Sequence, residues 1–345
     1  MKDRYGRTIE YMRVSVTDRC NLRCIYCMPP EGVPCVSHSD ILTFDEITRI
    51  CRIASTLGIS RIKLTGGEPL VRRDLPDLLG MIKDISGIEQ VTLTTNGILL
   101  KDKINELISK GLDSVNISID TLDPARYADI TRGGELKEAL AGLEAALSFP
   151  SLTVRINCVP MQDMPEEDYI SLALLARDNK LDVRFIEMMP IGLGKEFGAV
   201  NGDRVYSILK KEFGEAVHCT GRFGNGPAVY MHFPGFKGKI GFIDAVSHRF
   251  RGKCNRVRLT SEGSLKPCLQ YGTGTDLRKL LRSGADDAAV CQEMQRTVYD
   301  KPACHHFTDG ISDDTVNCES GENITFGQGC DGRILETRDM SQIGG

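Results

Sequence analysis

An α/β fold on a parallel sheet is predicted by two features of the first 190 residues. Six short β-branched runs recur: MRVSVT (12–17), RIKLTGG (61–67), QVTLTTNG (90–97), SVNISID (114–120), LTVRINCVP (152–160) and DVRFIEMMP (182–190). Amphipathic helical patterns separate them, and strand–helix repeats of this kind demand parallel pairing with right-handed crossovers. A third feature concerns chemistry. Polar residues gather at the carboxyl ends of the runs: Thr65-Gly66-Gly67, Thr94-Thr95-Asn96, Ser118 with Asp120, Asn157, and Glu187 with Met189. Ligands of parallel α/β proteins collect at those ends, in open doubly wound sheets and in β/α barrels alike. One site across the mouth of the sheet is therefore expected.

The connecting elements carry their own signals. In FDEITRICRIASTLGI the residues Ile47, Ile50, Ile53, Ala54 and Leu57 recur at helical spacing, and Thr43 with Glu46 forms a capping box before them. LPDLLGMIKDI begins a helix after Asp74, with Pro76 in its first turn. Beyond about residue 200 the alternation stops. The helical segment RVYSILKKEFG leads into a β-rich region, a helix is expected around 276–299, and the last forty residues are polar and Gly-rich. A division into 1–225 and 226–345 follows, the second part being a smaller α+β region that closes the mouth of the first.

Composition narrows the function. Of 345 residues, 41% are hydrophobic and 26% charged, as in ordinary globular chains. No apolar run reaches the roughly 18 to 20 residues a membrane helix needs. MKDRYGRTIEYMRVSV lacks the apolar core of a signal peptide, so a cytoplasmic location is expected. A net charge of −4 argues against a broad nucleic-acid surface, though not against a local basic pocket. In a reducing compartment, clustered thiols mean metal ligation or redox chemistry rather than disulfides. Of the thirteen cysteines, Cys51, Cys158 and Cys291 lie in apolar-periodic stretches and read as small buried hydrophobes.

TDRCNLRCIYCMPPEG (17–32) is different. Cys20, Cys24 and Cys27 are spaced by three and then two residues, with no fourth thiol nearby. Structural zinc wants four ligands. Three clustered thiolates fit a 4Fe–4S cluster with one iron left open. The other readings are zinc with a distant fourth ligand, or a fortuitous cluster.

The spacing Cys20-x-x-x-Cys24-x-x-Cys27, with Tyr26 inside it, resembles the signature of radical S-adenosylmethionine (SAM) enzymes. The resemblance implies a partial (β/α)6 barrel of the TIM type. It also implies that the open iron chelates SAM, whose reductive cleavage gives a 5′-deoxyadenosyl radical. Gly66-Gly67-Glu68-Pro69 would then be the GGEP turn bringing backbone to the SAM amino group. Tyr26, Gly67, Ser118 and Met189 would line the SAM site. The blocks GRTIEYMRVSVTDRCNLRCIYCMP, LTGGEPLVRRDL, LTTNGILL, VNISIDTLD, RFIEMMPIG, CNRVRLTSEGSLKPCL and the terminal IGG are similar, in order, to the GTP 3′,8-cyclase family of molybdenum cofactor biosynthesis. That family removes a ribose 3′ hydrogen of GTP and joins the sugar carbon to C8 of guanine.

The residues make chemical sense of this. A triphosphate of about four negative charges needs several cations, and Arg suits it through bidentate contacts. Arg13, Lys63, Arg155 and Arg184 lie on predicted strands; Arg256 and Arg258 flank Val257 and so project to one face. The likeness assigns GTP contact to Arg13, Lys63, Thr94, Arg155, Arg256 and Arg258. Arg184 and Arg61 are further candidate phosphate ligands, whereas Arg72 and Arg73 read as partners of carboxylates near the helix start. Arg256, Arg258, Gly344 and Gly345 are the implied catalytic residues, the two glycines as a tail threading into the site. The likeness further implies cyclic pyranopterin monophosphate synthase downstream, a flavodoxin- or ferredoxin-type electron donor and room for a homodimer, with no nucleic acid or membrane partner.

One departure stands out. The family holds a second 4Fe–4S cluster on three C-terminal cysteines; here Cys254 and Cys268 keep the spacing, but Arg251 occupies the first position. Arginine has no lone pair to give iron. Either another ligand substitutes (His248, Cys304, Cys318 or Cys330), or no second cluster forms, or the cyclase is disabled. Impairment of the second site is the expectation. The rival functions are a radical SAM paralogue acting on another nucleotide or a peptide, and a non-catalytic iron–sulfur protein. The SAM set Gly67, Ser118 and Met189 argues against the last, since a sensor has no use for it.

Overall fold

The computed structural model describes residues 1–221, 223–247, 254–303 and 335–343. From the N-terminus, β1 (Tyr11–Ser15), α1 (Phe44–Thr56), β2 (Arg61–Thr65), α2 (Leu75–Lys83), β3 (Gln90–Thr95), α3 (Leu100–Ser109) and β4 (Ser114–Ser118) alternate. Two helices, α4 (Pro124–Thr131) and α5 (Leu136–Leu147), then precede β5 (Thr153–Cys158), followed by α6 (Glu166–Asp178), β6 (Asp182–Ile186) and α7 (Gly202–Phe213). The C-terminal part holds β7 (Val217–His218), β8 (Val229–His232), β9 (Ile240–Ile243), β10 (Arg256–Leu259), β11 (Ser264–Lys266), β12 (Thr275–Asp276), α8 (Leu277–Arg282) and α9 (Asp287–Tyr299).

The six predicted strands pair in parallel in chain order, β1 to β6. The C-terminal part adds two more parallel strands, β10 beside β1 and β9 beside β6. Antiparallel β11–β12 and β8–β7 extend the two edges. The parallel strands curl into an incomplete barrel. In a flat sheet β1 and β6 would lie about 24 Å apart, at 4.7–4.9 Å per strand. Yet Arg13 on β1 lies close enough to Arg184 on β6 for their charges to repel.

Alternation along the strands sorts the residues cleanly. Met12, Val14, Ile62, Leu64, Val91, Leu93, Val115 and Ile117 are fully buried among the helices. The opposite face carries Arg13, Lys63, Thr92, Asn116, Arg155, Asn157 and Arg184, in registers that set Arg13 beside Lys63 and Asn157 beside Arg184. The helices start as their sequences direct. Thr43 and Glu46 form the reciprocal capping box of α1. Pro76 lies in the first turn of α2, after Asp74 in the left-handed region at φ 58°.

Three expectations are corrected. The single helix expected around 276–299 is broken into α8 and α9, because Gly284 turns left-handed (φ +87°) and Asp286 caps α9 through the Ala289 N–H. Among the described residues Arg72 meets no carboxylate; it donates to the Val16 and Leu42 carbonyls and stacks on Phe44 at 4.4 Å. Cys51 and Cys158 are fully buried as expected, but Cys291 is only partly so.

Close packing puts a constraint on α5. A Cβ at Gly142 would overlap the Gly97 carbonyl oxygen on the loop after β3. Gly142→Ala should lower stability by about 1–3 kcal/mol through overpacking, read as a lower denaturation midpoint. An unchanged midpoint would mean that this loop yields freely.

Candidate active site

β1 passes into the loop that bears the three thiols, and two neighbouring segments fix that loop. On one side Val16 N–H donates to Thr65 O, Gly67 N–H to Thr17 O and Glu68 N–H to Arg19 O, each at 2.8 Å. A Cβ on Gly66 would stand 2.6 Å from the Thr17 carbonyl oxygen, so only glycine allows this approach. On the other side the C-terminal end of α4 accepts from the loop, Thr131 O from Arg23 N–H at 3.1 Å and Ile130 O from Ile25 N–H at 2.9 Å. Arg132, left-handed at φ 54°, donates to Met28 O at 2.8 Å.

Glu68, which the sequence marks only as a member of the GGEP turn, is the hub of this arrangement through its carboxylate. It is 1% exposed. Its carboxylate accepts from Leu70 N–H (3.0 Å), Thr95 Oγ1 (2.7 Å) and Asn96 N–H (2.7 Å), tying the GGEP turn to the end of β3. Burial raises its pKa to about 7 against the pull of these donors. Because the Gly67 and Glu68 N–H groups are spent on the cysteine loop, the turn can offer a ligand its carbonyls. That suits an ammonium.

A cavity of about 340 Å³ opens at the carboxyl ends of the strands. Cys20, Cys24, Cys27, Tyr26, Gly67, Ser118 and Met189 line it, together with Cys254, Cys268, Arg256, Arg258, Arg13 and Thr94. Every one of these comes from the sequence-predicted set. Tyr26 donates to Asp120 Oδ2 at 2.7 Å, and Asp120 Oδ1 accepts from Val159 N–H at 2.8 Å. Burial lifts Asp120 to about 6.

The donor set of the N-terminal side fits an iron–sulfur cluster. Burial pushes Cys20 up to about 11 and Cys27 up to about 12, and raises Cys24 too; the mutual repulsion of the thiols adds to the last two. Such a trio becomes thiolate only beside positive charge. Among the described residues no three His, Cys, Asp or Glu side chains converge on a single metal ion. Three spread thiols suit a polynuclear group, each holding one corner.

In the same cavity Cys254 behaves oppositely. Burial alone would raise it, but Lys301 and Arg256 outweigh that and bring it to about 6. Lys301 is 2% exposed, and its ammonium donates to Arg256 O (2.9 Å) and Pro267 O (2.5 Å), joining β10 to the segment before Cys268. Arg7, held by Asp3 at 2.5 Å, donates to Pro302 O and Ala303 O on the same wall. Neither residue carries a sequence signal for this contact, since the carbonyls they reach on this wall lie 34 to 296 residues away. Arg251, His248, Cys304, Cys318, Cys330, Gly344 and Gly345 lie outside the described residues.

Lys63, Arg155 and Arg184 do not line the cavity; they sit deeper in the barrel. Arg184 donates to Asn157 Oδ1 (2.5 Å) and Asn116 Oδ1 (2.7 Å), and Arg155 lies 3.5 Å from Asp182. Burial, then Arg184, Arg13, Arg155 and Arg256, hold the Lys63 ammonium well below its usual range. Burial, then Arg13 and Arg256, do the same to Arg258. Arg61 is not part of this array. It pairs with Glu10 at 2.7 Å, at the far end of β2.

A partial barrel with three thiols after its first strand and a GGEP turn after its second defines a radical SAM protein. Residues 14–176 match the Radical SAM superfamily, and residues 181–307 match Molybdenum Cofactor Synthesis C. Proteins described as GTP 3′,8-cyclase share 45% identity in Clostridium perfringens (89% of this chain, 95% of that one) and 42% in Pelotomaculum thermopropionicum (91% and 97%). The chain belongs to the GTP 3′,8-cyclase family of radical SAM enzymes. Among solved structures, Streptococcus suis SuiB bound to precursor peptide SuiA is similar with a TM-score of 0.59 at 15% identity, over 86% of this chain and 66% of that one. That likeness concerns the fold alone.

Glu68→Gln should test the hub. The amide cannot accept all three hydrogen bonds, and an unsatisfied buried donor costs about 1–3 kcal/mol. SAM affinity should fall roughly five- to 150-fold with bound iron unchanged, measured by equilibrium binding to the reconstituted protein. Parent affinity would remove Glu68 from the SAM site.

Proposed function

We propose that the chain cyclises GTP to (8S)-3′,8-cyclo-7,8-dihydroguanosine 5′-triphosphate, a lyase step early in molybdopterin synthesis. One observation carries this reading: six cations are gathered inside one barrel, Arg13, Arg256 and Arg258 lining a cavity that also holds both sets of thiols and Lys63, Arg155 and Arg184 lying deeper. Lys63 and Arg184 have no carboxylate within ion-pair range among the described residues. Such an array is relieved by a polyanion, and a triphosphate supplies one of about four charges. The names of the relatives supply the nucleoside.

In this reading the chain divides its residues by task. Cys20, Cys24 and Cys27 hold a 4Fe–4S cluster, and Tyr26, Gly67, Ser118 and Met189 surround SAM. Cluster and SAM, when bound, supply abstraction of a hydrogen atom from the ribose. Arg13, Arg256 and Arg258 grip the triphosphate at the cavity, with Lys63, Arg155 and Arg184 deeper and Thr94 at the rim. The bound nucleotide is thereby oriented and shielded from water, so that the sugar carbon faces C8 of the base. Gly344 and Gly345 assist as the end of the C-terminal segment. The finer expectations belong to the same proposal: a cytoplasmic, homodimeric enzyme, fed by a flavodoxin- or ferredoxin-type donor and followed by cyclic pyranopterin monophosphate synthase. Residues 1–225 form the barrel part and 226–345 the part that closes it.

Arg258→Ala should weaken GTP binding about ten- to a hundredfold, the equivalent of roughly 1.5–3 kcal/mol for a charge-assisted contact. GTP-independent SAM cleavage should persist. Equal GTP affinity in Arg258→Ala, and in Arg256→Ala, would move the substrate elsewhere.

The second site is read as impaired. Cys254 and Cys268 are its two thiols among the described residues, and Arg251 stands where a third is expected. The reconstituted protein should bind about four irons tightly with a variable remainder, and Arg251→Cys should raise this towards about eight, two 4Fe–4S clusters. Eight irons in the parent would show that a substitute ligand exists, and single changes at His248, Cys304, Cys318 and Cys330 would find it.

A further inference from the structure

Residues 335–343 run across the wall of the cavity, and they are fastened there by a buried ion pair. Leu335 bridges antiparallel to Tyr271, and Glu336 N–H donates to Gln270 O at 2.6 Å. The Glu336 side chain then turns inward to Lys266 on β11, with which it forms an ion pair. Lys266 is 0% exposed and Glu336 5%. Glu336 Oε1 also accepts from the N–H groups of Thr337 (3.1 Å) and Arg338 (3.0 Å), and the Arg338 guanidinium clasps both carboxylate oxygens at 3.1 and 3.2 Å. Arg338 continues to Glu262 at 3.3 Å.

The two ends of this pair differ in freedom. Lys266 belongs to a paired strand, where it stands opposite Arg258. Glu336 belongs to the terminal segment. Were the segment to lift, Glu336 would regain water, but Lys266 would remain inside beside Arg258 without its carboxylate. Leaving one member of a buried pair uncompensated is strongly unfavourable. The pair therefore favours the docked segment over the lifted one. Downstream, the docked segment puts Met340 and Ser341 against the cavity, brings the Ser341 N–H to the Cys27 thiol, and buries Ile343 with Ile191 and Leu269.

We propose that Lys266 and Glu336 are positioning residues: their ion pair latches residues 335–343 across the mouth of the barrel and so holds Ile343, to which the two glycines are joined. The latch acts through the segment; neither Lys266 nor Glu336 lines the cavity. Its catalytic consequence rests on the reading that Gly344 and Gly345 serve GTP turnover; the latch itself does not.

The test uses full-length protein reconstituted with iron and sulfide. Hydrogen exchange of the peptide covering 335–343 is followed by mass spectrometry in the parent, Glu336→Gln and Lys266→Met. The methionine replaces a buried ammonium with an apolar chain of similar length, so this variant keeps a fold even if the first does not. Exchange in 335–343 should be at least tenfold faster in both variants, with β1–β6 peptides unchanged. Parent-like exchange in both overturns the latch, whatever the substrate proves to be. GTP turnover should fall to the level of the variant lacking Gly344 and Gly345, while the GTP dissociation constant stays within about twofold of the parent. Faster exchange with undiminished turnover overturns the positioning role. A parent that never turns over GTP strikes at the proposed function, and the exchange arm still decides the latch.

Discussion

The rest of the molecule depends on the sorting of side chains across the strands. Alternation sends Met12, Val14, Ile62 and Leu64 outward into the helices and Arg13, Lys63, Arg155 and Arg184 inward. Barrels of this kind ordinarily fill their interior with branched apolar residues. Here the outward face supplies the hydrophobic stabilisation and the inward face is left to chemistry. The cations repel one another at a cost in stability. Neutral dipoles offset part of it, with Asn116 and Asn157 accepting from Arg184 and Ser114 Oγ from Arg155 at 2.9 Å. Asp182 offsets part of the rest. The remainder is what an arriving anion can relieve.

A second consequence concerns rigidity. The cysteine loop is fixed from two sides: by the GGEP turn through Thr17 and Arg19, a turn that Glu68 ties in its place to the end of β3, and by the end of α4 through Thr131 and Ile130. None of these bonds needs a ligand to form. The thiols are thus held in place before any group binds, and the entropy of ordering that loop is met during folding rather than during catalysis.

How much of this was legible in the sequence differs between the halves. β1 to β6 were read from β-branched runs, and the convergence of Cys20, Ser118 and Met189 followed from strand polarity alone. The capping box of α1 was equally plain. What escaped was the joining of β9 and β10 to the parallel sheet, because neither four-residue strand follows a helix in the βα rhythm that signals parallel pairing. The break between α8 and α9 was hidden for a different reason. One glycine and one cap residue are weak punctuation within a long helical pattern. Glu68 was read only as part of a motif, although its carboxylate secures the turn. Lys301 and Arg7 act on carbonyls supplied by distant segments, and a single sequence gives no sign of such contacts.

The charge distribution also bears on which substrate the barrel suits. A peptide brings scattered charges and many backbone groups that need partners. It would leave Lys63 and Arg184 deep in the barrel with no anion to meet them. A nucleoside monophosphate would reach Arg13, Arg256 and Arg258 at the cavity and stop there. The cations continue below the cavity floor, from Arg13 to Lys63 and on to Arg184, with Arg13 and Arg184 both lowering the pKa of Lys63. An elongated polyanion with its organic end at the mouth matches that depth. The likeness to SuiB concerns the course of the strands and helices alone and carries no weight for a peptide here.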